Sequence, residues 1–172
     1  IGGGGNNDTL IGDDNANVII GAGGNDTLNG GGGNDTIYGD DHLNDSSGTI
    51  YGIRSYGITD GNDTISGGDG DDVIYGDGGD DILDGGAGND TISSGTGSDT
   101  IIITSSSNSD TLTDFTDGTD AIGFDNSLNV GNLTFVANGN DTQIKNGSDI
   151  LLTLTGLSSS SISAIDFQST NT

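Results

Sequence analysis

The chain has 172 residues, of which 28% are hydrophobic, and this is too little apolar volume to fill a broad globular core. Its net charge of −25 comes from 27 acidic residues against two basic ones. That balance argues against nucleic acid or an anionic membrane surface as a partner, because almost nothing could neutralise phosphates. Cysteine is absent, which excludes a disulfide framework, and no apolar run approaches the roughly 20 residues of a membrane span.

Nine-residue copies begin close to the amino terminus. Counting from the first glycine of each copy, position six is aspartate and position eight is aliphatic. The second copy has Asn17 at position six, which predicts a weaker site there. Because Ile1 and Gly2 already lie beside a repeat, we expect the chain to be part of a longer protein. The first four copies are Gly3–Ile11, Gly12–Ile20, Gly21–Asn29 and Gly30–Tyr38.

The register breaks between Gly39 and Ser66, a segment that is longer than two nonamers. We interpret it as two enlarged turns, Gly39–Tyr51 and Gly52–Ser66. Ile50 and Ile65 would keep the core positions. Position six is Asp63 in the second turn and Gly48 in the first, where Asp45, or Asp40 and Asp41, would substitute as ligands.

The most regular part runs from Gly67 to Ser93 as three copies of G-G-x-G-x-D-x-U-x, a pattern typical of calcium-binding β-rolls. Six glycine-rich residues form a turn, and three residues form a strand whose middle side chain points to one face. Eighteen residues return the chain to the same edge, so each turn stacks on the turn two copies later. Carbonyl oxygens and aspartates then meet in a hard oxygen cage, which suits Ca²⁺ better than Mg²⁺.

The nine-residue pattern changes after a degenerate copy at Ser94–Ile102. Alternating residues near Leu133–Val136, Thr142–Ile144 and Ile150–Leu154 predict antiparallel strands, which would cap the array. We therefore predict an all-β fold, a right-handed parallel β-roll (nonapeptide-repeat solenoid) followed by a small antiparallel cap. The roll would cover residues 1–109 with about ten repeats and enlarged turns at 39–66, and the cap would cover residues 110–172.

Three nonamers, GGDGDDVIY, GGAGNDTIS and GGGGNDTIY, resemble the repeats-in-toxin (RTX, haemolysin-type calcium-binding) repeats of bacterial proteins exported by type I secretion. The tail segments DTLTDFTDGTDAIGF, LLTLTGL and ISAIDF are similar to the C-terminal regions of that family. The resemblance implies a secreted, extracellular or cell-surface protein and an export signal in or beside residues 110–172. It also implies roughly six to eight calcium ions and the type I secretion machinery as a partner.

The resemblance further implies which residues bind calcium. The carboxylate ligands would be Asp8, Asp26, Asp35, Asp63, Asp72, Asp81, Asp90 and Asp99, with Asn17 as a weaker ligand. The carbonyl ligands would be Gly24, Gly31, Gly33, Gly61, Gly68, Gly70, Gly79, Gly86, Gly88 and Gly97.

Two other functions remain open from the residues alone. An enzyme is disfavoured, because the single histidine, His42, lies in an enlarged turn and no cysteine nucleophile or G-x-S-x-G elbow occurs. An adhesion or glycan-binding module is the stronger alternative, because irregular loops on a rigid scaffold often carry function. The residues that suggest it are the tyrosines and the arginine in or near the enlarged turns: Tyr38, Tyr51, Tyr56, Tyr75 and Arg54.

Overall fold

The computed structural model describes residues 1–40, 60–105, 108–124, 128–163 and 166–169. This described part is built from strands and one short 3-10 turn at Val130–Asn132. No helix within these ranges is long and apolar enough to cross a membrane. The strands are β1 (Gly2–Gly4), β2 (Thr9–Ile11), β3 (Val18–Ala22), β4 (Thr27–Gly32), β5 (Thr36–Tyr38), β6 (Thr64–Asp69), β7 (Val73–Tyr75), β8 (Ile82–Ala87), β9 (Thr91–Ser93), β10 (Thr100–Ile103), β11 (Asp110–Leu112), β12 (Ala121–Phe124), β13 (Leu133–Asn138), β14 (Asp141–Asn146), β15 (Asp149–Leu154) and β16 (Phe167–Ser169).

Consecutive strands of the repeats alternate between two sheets, so two nonamers complete one coil. The first sheet has the order β1-β3-β5-β7-β9-β11-β15-β14-β13, and the second has the order β16-β12-β10-β8-β6-β4-β2. Strands two nonamers apart pair in parallel: Val18 lies opposite Thr36 in the first sheet, and Thr9 lies opposite Thr27 in the second. This arrangement confirms the predicted all-β fold with a parallel β-roll.

A column of aliphatic side chains fills the space between the two sheets. Each side chain comes from position eight, the middle of a three-residue strand, and points inward while its neighbours point outward. Ile37, Ile74 and Leu83 have no exposed surface, whereas Ile82, next to Leu83, is 46% exposed. Each rung of the roll thus adds one large buried side chain, which is why so low a hydrophobic content suffices for this fold.

The segment from Gly39 to Ser66 contributes one rung to the sheets, not two. Strand β4 pairs directly with β6, and β5 pairs directly with β7. Position-six residues across this segment are 37 residues apart, compared with 18 in a regular coil, a difference of 19 residues. The interpretation as two enlarged turns is therefore wrong, because the segment supplies only the start of β6, and no second strand lies between β4 and β6 or between β5 and β7. Residues 41–59, including Ile50 and Asp45, lie outside the described residues.

Parallel pairing continues beyond residue 109. Strand β11 pairs with β9, β12 pairs with β10, and β16 pairs with β12, all in parallel. Strands β13, β14 and β15 then form the antiparallel part, and β15 joins it to the roll by pairing in parallel with β11. The antiparallel cap is confirmed, and the division into two domains at residue 109 stays a prediction.

Candidate metal centre

The position-six residues form two hydrogen-bonded ladders. In each ladder, the backbone N–H of one position-six residue donates to Oδ1 of the aspartate in the next coil, at 2.7–3.2 Å. This stacking follows from the nine-residue period, since position six lies directly before a strand in every nonamer. The first ladder contains Asp8, Asp26, Asp63, Asp81, Asp99 and Asp120, and the second contains Asn17, Asp35, Asp72, Asp90 and Asp110.

The second carboxylate oxygen of most ladder aspartates is buried without a hydrogen-bond donor. These residues are 1–2% exposed. A buried anionic oxygen that accepts no hydrogen bond is costly, and a cation would remove that cost. The oxygens that accept no hydrogen bond from the described residues are Oδ2 of Asp26, Asp35, Asp63, Asp72, Asp81, Asp90 and Asp99.

Beside the glycine at position one of most copies, a carbonyl oxygen of the next coil converges with the carboxylate of that copy. A Cβ on Gly67 would collide with both Asp72 Oδ2 and the Gly85 carbonyl oxygen. Only glycine leaves this space free, and the space is bounded by two oxygens. The same pair of oxygens recurs at Gly3, Gly12, Gly21, Gly30, Gly39 and Gly76, with the Asn17 amide oxygen replacing the carboxylate at Gly12.

Burial raises the pKa of several of these carboxyl groups. Loss of hydration raises the pKa of Asp81 to about 8, and the negative charges of neighbouring aspartates add to the effect. The same cause raises the pKa of Asp63 and Asp72 to about 6. In each case a backbone hydrogen bond opposes the shift. The ladders therefore favour a bound positive charge, either a proton or a metal ion.

The donor chemistry fits calcium. Among the described residues, no three acidic, histidine or cysteine side chains come together as a metal-binding group. Side chains alone therefore do not form the cage, and backbone carbonyls would have to complete it. A site made of carboxylate and carbonyl oxygens suits calcium and not zinc, which prefers nitrogen and sulfur. The Asp carboxylates and position-one carbonyls are the groups that would hold the ion.

A family model of the RTX calcium-binding nonapeptide repeat (four copies) matches residues 2–37, 58–92 and 84–102. The chain carries RTX calcium-binding repeats. Such repeats bind calcium and are typical of secreted bacterial proteins. The match ends before β11 and β12, which continue the parallel coil.

Solved structures with which the chain aligns include two kinds of bacterial protein. The extracellular lipase LipA from Serratia marcescens aligns at 17% identity and a TM-score of 0.47, over 96% of this chain and 38% of the lipase. Two subunits of the Azotobacter vinelandii mannuronan C5-epimerase also align. AlgE6R3 aligns at 21% identity and a TM-score of 0.45, over 90% of this chain and 78% of the subunit. AlgE6R2 aligns at 24% identity and a TM-score of 0.49, over 89% of this chain and 92% of the subunit. No curated protein matches the sequence.

The glycines at positions two and four stack along the RTX turns. The carbonyl of Gly68 points at the glycine two nonamers on, Gly86, and that of Gly70 points at Gly88. The carbonyls that share the space beside a glycine with a carboxylate oxygen belong to position one, which the ligand prediction does not include. The glycine that opens nearly every copy is the signal that could have identified them. The same glycine-to-glycine stacking holds for the predicted ligands Gly24, Gly31, Gly33, Gly61 and Gly79.

Two ladder residues lie beyond the RTX match and are missing from the predicted ligand set. Asp110 follows Asp90 by 20 residues and Asp120 follows Asp99 by 21, where a strict period requires 18. Both are buried. Each is followed by a short strand, D-T-L or D-A-I, and this is the local signal that could have revealed them. Asp40, suggested as a substitute ligand, is also buried, and its carboxyl accepts from the Gly61 N–H at 3.2 Å.

A further ladder on the surface of the RTX turns needs no metal. The backbone N–H at position five donates to the side-chain oxygen at position five of the preceding coil; Asn89 donates to Asp71 at 2.8 Å. An asparagine or an aspartate serves equally well as this acceptor. This explains why asparagine and aspartate interchange at position five, whereas position six is aspartate in every regular copy except the second, which has Asn17. The donors of this kind are Asn25, Asn62, Asp71, Asp80, Asn89 and Ser98.

Proposed function

We propose that this RTX chain is a calcium-driven folding switch, which folds after export and thereby stabilises a larger extracellular protein and assists its type I secretion. The observation that carries the proposal is the pair of ladders in which buried carboxylate oxygens accept no hydrogen bond from the part of the chain that the structure describes. Without a cation these oxygens oppose the fold, and with one they stabilise it. Catalysis is not part of this role, and His42 lies outside the described residues.

Calcium can supply a free energy as large as that of folding. If extracellular calcium lies about tenfold above a dissociation constant of about 10⁻⁴–10⁻³ M, each site contributes about 1.4 kcal/mol. Roughly six to eight sites then contribute on the order of 8–11 kcal/mol, which is comparable to the stability of an ordinary domain. The same number of ions would neutralise about half or more of the net charge, and would so reduce the repulsion among the acidic residues.

The switch acts through the difference in calcium between the two sides of the cell envelope. In the calcium-poor cytosol the chain stays unfolded and can be threaded through the type I secretion machinery. Outside the cell, calcium fills the turns and the roll forms. Residues 110–172 carry or adjoin the export signal and also cap the folded roll.

Calcium titration followed by circular dichroism tests this function. At mildly alkaline pH we expect the chain to be unfolded in chelator and to gain β structure cooperatively as calcium rises. The Asp72→Asn variant should need more calcium, because it removes a buried carboxylate oxygen. The matched control is Asp71→Asn, which keeps the acceptor of the Asn89 N–H and should titrate like the wild type. A chain that is already β-rich in chelator would contradict the proposal.

A second candidate function is adhesion or glycan binding. Tyr38 and Tyr75 lie on neighbouring strands, and their rings stack with centroids 5.0 Å apart and planes 5° apart. This pair presents apolar ring surface with hydroxyl groups. Such a surface suits a sugar, which also has apolar faces and hydroxyl groups. Tyr51, Tyr56 and Arg54 lie outside the described residues. A glycan array with calcium-loaded wild type and Tyr75→Ala tests it: binding that is lost in the variant supports this function, and no binding by the wild type removes it.

A further inference from the structure

A segment of 19 residues interrupts one turn of the roll between two consecutive positions of the repeat. Gly39 and Asp40 occupy positions one and two of this nonamer, and Asp60 and Gly61 occupy positions three and four. Positions five to nine then follow in the usual order. Residues 41–59 are therefore inserted between positions two and three, away from positions one and six, which supply the candidate calcium ligands.

Both ends of the insertion stay in register with the neighbouring coils. Before it, the carbonyl oxygen of Gly39 lies where a Cβ on Gly21 would be. After it, the carbonyl oxygen of Gly61 lies where a Cβ on Gly79 would be. These are the position-one and position-four contacts that uninterrupted turns also make. The turn therefore keeps its normal shape on both sides of the interruption.

The side chain of Asp40 joins the two ends directly. Asp40 is 4% exposed, and the Gly61 N–H donates to both of its carboxylate oxygens, each at 3.2 Å. In the second nonamer, which has no insertion, Asp13 at position two accepts in the same way from the Asn15 N–H at position four, at 2.9 Å. Aspartate commonly accepts from the backbone two residues on. Asp40 makes this contact across 21 residues.

Closure of this turn matters for calcium, because its two halves meet at one candidate binding place. Gly39 precedes the inserted segment and Asp63 follows it. A Cβ on Gly39 would collide with Asp63 Oδ2 and with the carbonyl oxygen of Gly76. In the other turns a direct peptide bond links positions two and three. Here a long connection links them, and closing a loop has an entropy cost, so the Asp40 contact supplies a restraint that the backbone does not.

We propose that Asp40 is a positioning residue, whose carboxylate clamps the interrupted turn shut by accepting from Gly61. The clamp holds Gly39 beside Asp63, where calcium binds. This inference rests on the proposed function, because it gives Asp40 a part in assembling one of the calcium sites. Asp40 acts here through a hydrogen bond, which differs from the role of substitute calcium ligand that the sequence suggests for it.

A chain that lacks residues 41–59 provides the background for the test. In this shortened chain the peptide bond from Asp40 to Asp60 makes the clamp redundant. Neighbouring turns show that the junction is compatible with the roll, since aspartate occupies position two at Asp77 and position three at Asp69. We expect the shortened chain to fold with calcium. A shortened chain that does not fold with calcium would overturn the proposal.

Asp40→Ala in the full and in the shortened chain tests the clamp. Loss of a buried hydrogen bond to a charged group should raise the equilibrium constant for unfolding at least about tenfold in the full chain. Urea unfolding in saturating calcium measures it. In the shortened chain the increase should be several times smaller. Calorimetric titration should show one bound ion fewer for Asp40→Ala in the full chain only. Equal effects in the two chains, as expected of a calcium ligand, would overturn the proposal.

Two further variants isolate the hydrogen bond. Asp40→Asn keeps an oxygen that can accept from the Gly61 N–H, and it should retain most of the stability and the ion count of the wild type. Asp13→Ala removes the same contact from an exposed turn without an insertion, and it should change the unfolding equilibrium little. If Asp40→Asn is as damaging as Asp40→Ala, the hydrogen-bonded clamp is wrong. A wild-type chain that binds no calcium would instead overturn the proposed function.

Discussion

In calcium-free buffer with chelator, the chain should gain β structure as the pH falls from about 8 to about 4. Burial raises the pKa of Asp81 and Asp110 to about 8, of Asp40 to about 7, and of Asp63 and Asp72 to about 6. The unfolded chain titrates near 3.8, so the folded form binds protons more tightly. The stability that these carboxyl groups contribute to the folded form is therefore fully present below about pH 3.8 and is lost as the pH rises through 6 to 8. Circular dichroism over a pH series measures the gain of β structure.

Saturating calcium should reverse the sign of this pH dependence. Protons then compete with bound metal for the same carboxylates, so stability should fall as the pH falls. The two pH series together separate metal-free protonation from metal binding in one protein. A metal-free chain whose β content does not change between pH 8 and 4 would show that the buried carboxylates are not what opposes folding.

Gly79→Ala should lower the free energy of unfolding in saturating calcium by about 3–5 kcal/mol, the sum of a strained backbone and an overpacked contact. Gly79 has φ of 113°, a conformation that residues with a Cβ rarely adopt. In addition, a Cβ at this position would collide with the carbonyl oxygen of Gly61 in the preceding coil. That oxygen belongs to the backbone and cannot move without disturbing the stack. Urea unfolding at saturating calcium gives the difference.

Gly118→Ala is the matched control for this substitution. Gly118 also has a positive φ, 78°, but a Cβ there would have no atom within 4 Å. Its variant should therefore lose only the conformational part, about 1–2 kcal/mol. Equal losses in the two variants would show that the close stacking of glycines between coils does not limit what position four can hold.

The nine-residue period is enough to predict the core and most of both ladders. Because side chains alternate along a strand, Ile74 at position eight must face away from its neighbours Val73 and Tyr75. Because eighteen residues complete a coil, Asp72 and Asp90 must stack. The cap strands are predicted on the same local basis, from alternation around Leu133–Val136 and from turn residues such as Gly139 and Gly147, both of which have positive φ.

Two features were decided only by pairing between distant strands. The segment from Gly39 to Ser66 is long enough for two turns, and its length does not reveal how many rungs it forms; the direct pairing of β4 with β6 does. Asp110 and Asp120 fall outside the period, so no count from Asp90 or Asp99 reaches them. Only the pairing of β11 with β9 and of β12 with β10 places them in the ladders.

The amino-acid sequence by itself thus determined which side chains point inward and which residues recur at each turn of the roll. The tertiary structure decided how many rungs exist and which carboxylates meet at the junction with the cap. The physical reason is that local spacing sets the direction of a side chain, whereas hydrogen bonds between strands far apart in the chain select the neighbour that it meets.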